Sequence, residues 1–188
     1  TGPPCCWLCR PAVSMPASSL PDGPALLALE AAARRSGTGL TAADLPGCWQ
    51  LDQVWPKGSS RPASFSALLL RGLAARLEIG PGDGAEAGAL TLSNAVNLGP
   101  LELRFRGPGW LKGPRPLLLF QFDRLELRLA GRLLLQRDLP APQPRRQPFF
   151  ALISRGQGGS ASDGAGVWLA ARGRGGGLAL WQLANPRP

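Results

Sequence analysis

Leu101-Glu102-Leu103-Arg104-Phe105-Arg106 alternates apolar and charged side chains without interruption. A period of two is what a strand with one buried face requires, and a helix would scatter the same residues around its circumference. The pattern returns downstream, where Phe120 and Phe122 alternate with Gln121 and Asp123, and Leu125, Leu127 and Leu129 alternate with Glu126 and Arg128. Parity slips at Asp123-Arg124, which predicts a bulge. Asp123 and Glu126 fall on the outward, solvated side.

The chain around these runs is cut into short segments by Gly and Pro, as in an all-β domain. Further strands are expected at Ser66 to Leu70, Ala74 to Ile79, Leu90 to Leu98, Leu133 to Arg137 and Phe149 to Ser154. Turns are expected at Gly80 to Gly84, Gly107-Pro108-Gly109, Ala130-Gly131 and Gly156 to Gly166. A closing hairpin joins Gly166 to Ala171 and Gly177 to Leu183 through the turn Arg172 to Gly176. Leu45-Pro46-Gly47-Cys48-Trp49-Gln50-Leu51 carries the opening strand of the same sheet. About eight to nine strands, each with one apolar and one polar face, predict a single antiparallel sheet closed into a barrel in which first and last strands meet. A barrel of that size can hold one small apolar ligand.

One helix is expected, Ala25 to Arg35, rich in Ala and Leu, started after Pro24 and stopped at Ser36-Gly37. Leu26, Leu29 and Ala33 share a face that is expected to pack across an open end of the sheet. Thr41 to Asp44 adds a short turn. Residues 1–24, with six prolines and no apolar period, read as a disordered tail before a domain spanning 25–188. The only methionine is Met15, which points to a fragment or to a natural start at Met15, with a targeting peptide over Thr1 to Leu20 as the rival reading. No apolar run reaches the ~18 residues of a membrane-spanning helix, and no segment has the form of a secretory signal.

The net charge of +9 rests almost wholly on arginine, Lys57 and Lys112 being the only lysines. In a chain rich in Ala, Gly and Pro that balance reflects a GC-rich coding bias first and a preference for anionic membrane surfaces second. Single-stranded nucleic acid on a barrel face is the last reading and no such partner is expected, because strand parity turns Phe105, Phe120 and Phe122 away from Arg104 and Arg106.

No catalytic set is present. Histidine is absent, no two carboxylates stand at acid-base spacing, and Gly156-Gln157-Gly158-Gly159-Ser160-Ala161 lacks the helix that a dinucleotide turn must precede. Cys6-Trp7-Leu8-Cys9 has no second pair to complete a zinc site and no helix to make a redox motif. No metal and no cofactor are therefore expected. Trp49, Trp168 and Trp181 are expected as core plugs within strands, whereas Trp55 and Trp110, beside Pro and Gly, are placed in loops where an indole can meet a membrane interface.

Several pieces in order resemble the plastid lipid-associated protein family, the fibrillins, in the form found in cyanobacteria. They are the helix before Leu45 to Leu51, then Leu92-Ser93-Asn94-Ala95-Val96-Asn97, then Lys112-Gly113-Pro114-Arg115-Pro116 to Asp123, and finally Trp168 to Leu178 with its Arg172-Gly173 turn. The resemblance implies a lipocalin-like barrel in which Gly47 and Trp49 form the opening motif and Arg172 packs near it. Arg115, Pro116, Trp168 and Gly173 are carried over as motif positions. It also implies a non-enzymatic protein peripheral to thylakoids or lipid globules, with an apolar small molecule such as a carotenoid, quinone or acyl lipid as partner. On this reading Leu103, Phe105, Phe120, Phe122, Leu127 and Leu180 line the cavity and Asn94 is its one polar group. The alternatives are an isoprenoid or tetrapyrrole enzyme on the same barrel, and a membrane-surface scaffold with a filled core.

Overall fold

The computed structural model describes residues 20–59, 61, 76–82, 88–158 and 166–184. The expected features at Cys6 to Cys9, Met15 and Ser66 to Leu70, and most of the expected loop after Gly156, lie outside these residues. Helix α1 (Gly23–Ser36) is followed by a 3-10 turn (Ala42–Asp44) and by strands β1 (Gly47–Trp55), β2 (Arg76–Pro81), β3 (Leu90–Leu98), β4 (Leu101–Lys112) and β5 (Leu117–Phe120). Strands β6 (Arg124–Leu129), β7 (Arg132–Asp138), β8 (Phe149–Gln157), β9 (Val167–Gly173) and β10 (Leu178–Leu183) complete the order.

Among the described residues all ten strands form one antiparallel sheet, and eight of them close a ring in the order β1-β2-β3-β4-β5-β8-β9-β10. The first and last strands pair, as their apolar patterns require. The remaining two branch from the ring, because one edge of the long strand β4 serves two neighbours: Leu101 to Arg106 pair with β6, and Gly109 to Lys112 pair with β5. The predicted bulge is the break between β5 and β6, spanned by Gln121 and Asp123, whose N–H groups donate to Pro108 O and Arg106 O at 3.0 Å.

Gly107-Pro108-Gly109, expected as a turn, instead runs through the middle of β4. These glycines serve close approach rather than reversal: a Cβ on Gly107 would lie 1.9 Å from the Gln121 carbonyl oxygen, and one on Gly109 would lie 2.1 Å from the Leu92 side chain. Pro108 is tolerated because its carbonyl, not its nitrogen, is the group that Gln121 engages. At the other expected turn, Ala130 and Gly131 both have positive φ, 47° and 80°, and form the two-residue reversal between β6 and β7.

The interior is filled from the end where β1 begins. Leu45, Trp49, Leu92, Leu118, Leu152 and Leu169 are buried there together, with Leu40 and Ala42 of the entry segment packed against them. The Trp49 indole donates to Leu45 O at 2.8 Å, and Gly47, at φ 148°, passes so close to Leu183 that a Cβ would lie 2.5 Å from that side chain.

Helix α1 does not cross an open end. It lies on the outer wall, where Leu26 packs with Trp55, Ile153, Trp168, Ala170, Leu178 and Leu180. The reason is in β9 and β10: Val167 to Ala171 and Leu178 to Trp181 are continuous apolar runs, so both faces of that wall need cover. The expectation of one polar face per strand fails there. Trp55 is accordingly buried beneath the helix instead of exposed in a loop, and Trp110 lies within β4, partly exposed. Trp168 plugs the helix–wall interface, which Gly156 permits: a Cβ there would come within 2.5 Å of its ring.

Candidate ligand-binding site

Toward the end of the barrel where β1 finishes and β10 begins, the interior is not filled. A cavity of about 240 Å3 remains, lined by Leu51, Val54, Leu77, Asn94, Val96, Phe120, Phe122, Phe150, Ala179 and Trp181, with Arg76 at its edge. Val54, Asn94, Val96 and Phe122 are only partly buried, so solvent reaches it. Four aromatic contacts bind one side into a row. Phe105 meets Phe122 at 5.7 Å between ring centroids, Phe122 meets Phe120 at 5.2 Å, Phe120 stacks on Phe150 at 5.2 Å, and Phe150 meets the edge of Trp181 at 5.3 Å. Such tilted and edge-on pairs are rigid and mutually attractive, so this wall is preorganised.

Of the expected cavity residues, Phe120, Phe122 and Asn94 line the space. Asn94 stands in register between Leu77 and Phe105 and shares the face of Val96. Phe105 joins through its contact with Phe122. Leu103 and Leu127 pair with each other across β4 and β6, on the continuation of the inner face beyond the ring, Leu103 exposed and Leu127 half-buried, both outside the cavity. Leu180 is misplaced by the sequence reading. It faces outward beneath α1, because in β10 the inward positions are Ala179 and Trp181.

The lining residues Val54 and Phe150 were not anticipated as cavity positions. An irregular step between Leu51 and Gln53 shifts the β1 register, turning Val54 inward and Trp55 outward, and strict alternation cannot show such a step.

The outer face opposite this cavity carries a closed ring of charge. Arg76 reaches Glu78 at 2.8 Å and Glu102 at 2.5 Å, while Arg104 reaches the same two carboxylates at 2.8 Å each. The pairs meet across β3 because that strand presents Ser93 and Ala95, small and buried, beneath the long side chains. Burial pushes Glu102 upward, but the hydrogen bonds from Arg104 and Arg76 outweigh it and hold the carboxyl below its ordinary value. Glu126, expected in solvent, is buried, with Arg128 at 2.8 Å and Arg106 at 3.9 Å. Its neighbours are long arginines that fold over it.

A second charged cluster fixes the helix. Glu30, 3% exposed, receives Arg172 at 2.5 Å, Arg34 at 2.9 Å and Arg115 at 3.0 Å. The hydrogen bond from Arg172 is the main cause of its lowered pKa, about 2, against the upward push of burial. Arg172 also donates to Gly176 O within the β9–β10 turn, and Gly173 N–H donates to Gly177 O at 2.9 Å. Arg172 and Trp49 therefore sit at opposite ends of the barrel: Arg172 pairs with Leu178 in β10, whereas Trp49 is opposite Leu183. Pro116 contributes its carbonyl, which accepts from Leu152 N–H at 3.0 Å. The sequence reading missed the Glu30 cluster; the available signal was that Glu30 shares one helical face with Leu26 and Ala33.

Chemically, the cavity offers an apolar, aromatic surface with one carboxamide and no nucleophile. Cys48 lies on the β1 face opposite the cavity lining, and burial pushes its thiol up, which keeps it protonated at neutral pH. Among the described residues, no three His, Cys, Asp or Glu side chains gather as a metal site demands, and no helix is long and apolar enough to cross a membrane. Compared with protein-family models, with curated proteins and with solved structures, the chain gives no significant match to any.

Proposed function

We propose that this protein binds an apolar small molecule at a lipid surface, without catalysis, as its resemblance to the plastid lipid-associated proteins implies. The observation that carries the reading is the cavity bounded by the row from Phe105 to Trp181, which a barrel serving only as a scaffold has no need to leave open. Its size limits the occupant. About 240 Å3 falls below the ~300–1,000 Å3 of sites that enclose a drug-sized ligand. The cavity suits one ring or the end of a prenyl or acyl chain, with the rest of the molecule lying over Leu103 and Leu127. A quinone or acyl lipid fits this description better than a carotenoid held whole. Asn94 then orients the single polar end, through a carboxamide that donates and accepts.

The test is capture. Purified protein is incubated with a total lipid extract of photosynthetic membranes, repurified, and the retained molecules are identified by mass spectrometry. One class of quinone or acyl lipid near one per barrel is expected, and Phe122→Ala should reduce its recovery. An empty protein after incubation overturns the carrier reading and leaves a surface scaffold.

A further inference from the structure

We infer that the β6–β7 hairpin, with the β3–β4 turn beside it, is the element that docks this protein on an anionic lipid surface; the inference rests on the lipid-associated reading above. Leu133, Leu134 and Leu135 are 49%, 57% and 55% exposed, Leu129 42% and Leu98 65%. The five occupy one corner. Leu129 and Arg132 flank the hairpin turn, and Ala130 N–H donates to Pro100 O at 2.8 Å, which brings the turn after Leu98 alongside. Exposed leucines gathered on both faces of an element branching from a closed ring mark a contact surface.

Its charge says which contact. Arg124, Arg128, Arg132 and Arg137 surround the leucines, against Glu126 and Asp138 within the hairpin. Glu126 is already neutralised by Arg128. An apolar apex with a surplus of cations beneath it matches the boundary between anionic headgroups and acyl chains.

A second copy of the chain fits this corner less well. Among the described residues strand β7 pairs only with β6, and none of them covers its outer edge. Yet it carries an extra residue opposite the Leu127–Arg128 step and two arginines, and both features discourage an added strand. Leu135 lies opposite Leu127 on the inner face, while Leu133 lies opposite Arg128 on the other. A lipid interface receives both faces at once, whereas one protein surface covers one. The position also serves the cavity: from Leu135 an apolar path runs over Leu127 and Leu103 to Phe105 and the aromatic row.

The test is flotation of the full chain with vesicles of phosphatidylglycerol or of phosphatidylcholine, together with amide hydrogen exchange. Binding to phosphatidylglycerol vesicles is expected, weakening as salt rises, with new protection confined to the corner around Leu98 and Leu129 to Asp138. The triple variant Leu133→Gln, Leu134→Gln, Leu135→Gln should partition at least ~10-fold less while melting like the parent, since these side chains are solvated in the free protein. A triple variant that floats like the parent, or protection that arises elsewhere, overturns the assignment. Concentration-dependent dimers protected at β7 without vesicles also overturn it and give the leucines to a second copy. Leucine-dependent flotation of a protein that captures no lipid supports the docking element and sinks the carrier reading alone.

Discussion

Glu30→Gln isolates the charge that fastens α1 to the barrel. Glutamine copies the shape of the protonated side chain, so the variant measures what ionisation contributes. The Glu30 carboxyl, at about 2 in the folded protein against an ordinary 4.5, is favoured by about 3 kcal/mol when ionised. That figure agrees in size with the ~3–5 kcal/mol lost when one partner of a buried pair is removed. Because the folded-state value is depressed, the contribution is fully present above pH 4.5 and is lost as pH falls toward 2. Urea titrations followed by tryptophan emission, with Trp55 and Trp168 buried beneath the helix, should place the variant about 3 kcal/mol below the parent at pH 7. The gap should narrow below pH 4.5 and close near pH 2. A loss under ~1 kcal/mol at pH 7, or a gap unchanged down to pH 2, refutes the argument that the three arginines hold an ionised Glu30.

Leu180→Ala and Phe122→Ala separate the outer core from the cavity: the former should cost ~2–5 kcal/mol and leave lipid capture intact, and the latter should reduce capture with the smaller stability loss, both read by denaturation and mass spectrometry. Gly107→Ala should cost at least ~2 kcal/mol, because the new methyl meets the Gln121 carbonyl and the two backbones must part; a melting temperature equal to the parent's would remove the close-approach account. Ala130→Gly should raise stability by ~1 kcal/mol, relieving the left-handed φ of 47°, as a thermal melt can check.

Much of the barrel is legible in the chain because strands with one wet face write their geometry in a period of two. Leu90 to Leu98 has the bounds of β3, and the slip beside Asp123 is the branch point where β5 gives way to β6. The same rule misled where its premise failed. In β9 and β10 both faces are covered, so Leu180 reads as an interior residue although α1 covers it. The continuous run Val167 to Ala171 was the available signal.

The sequence by itself determined an antiparallel barrel, its closing pair β1 and β10, and the helix with its buried face, since each depends on local periodicity and on turn residues within a few positions. Tertiary structure alone decided that Gly107-Pro108-Gly109 continues a strand, that Val54 and not Trp55 turns inward, that Glu126 is buried and that a cavity remains beside Phe122. Each of these depends on what a distant segment brings to the same place. Packing between β3 and β5, a register step against β10, and a helix laid on the outer wall are not written in any short stretch of residues.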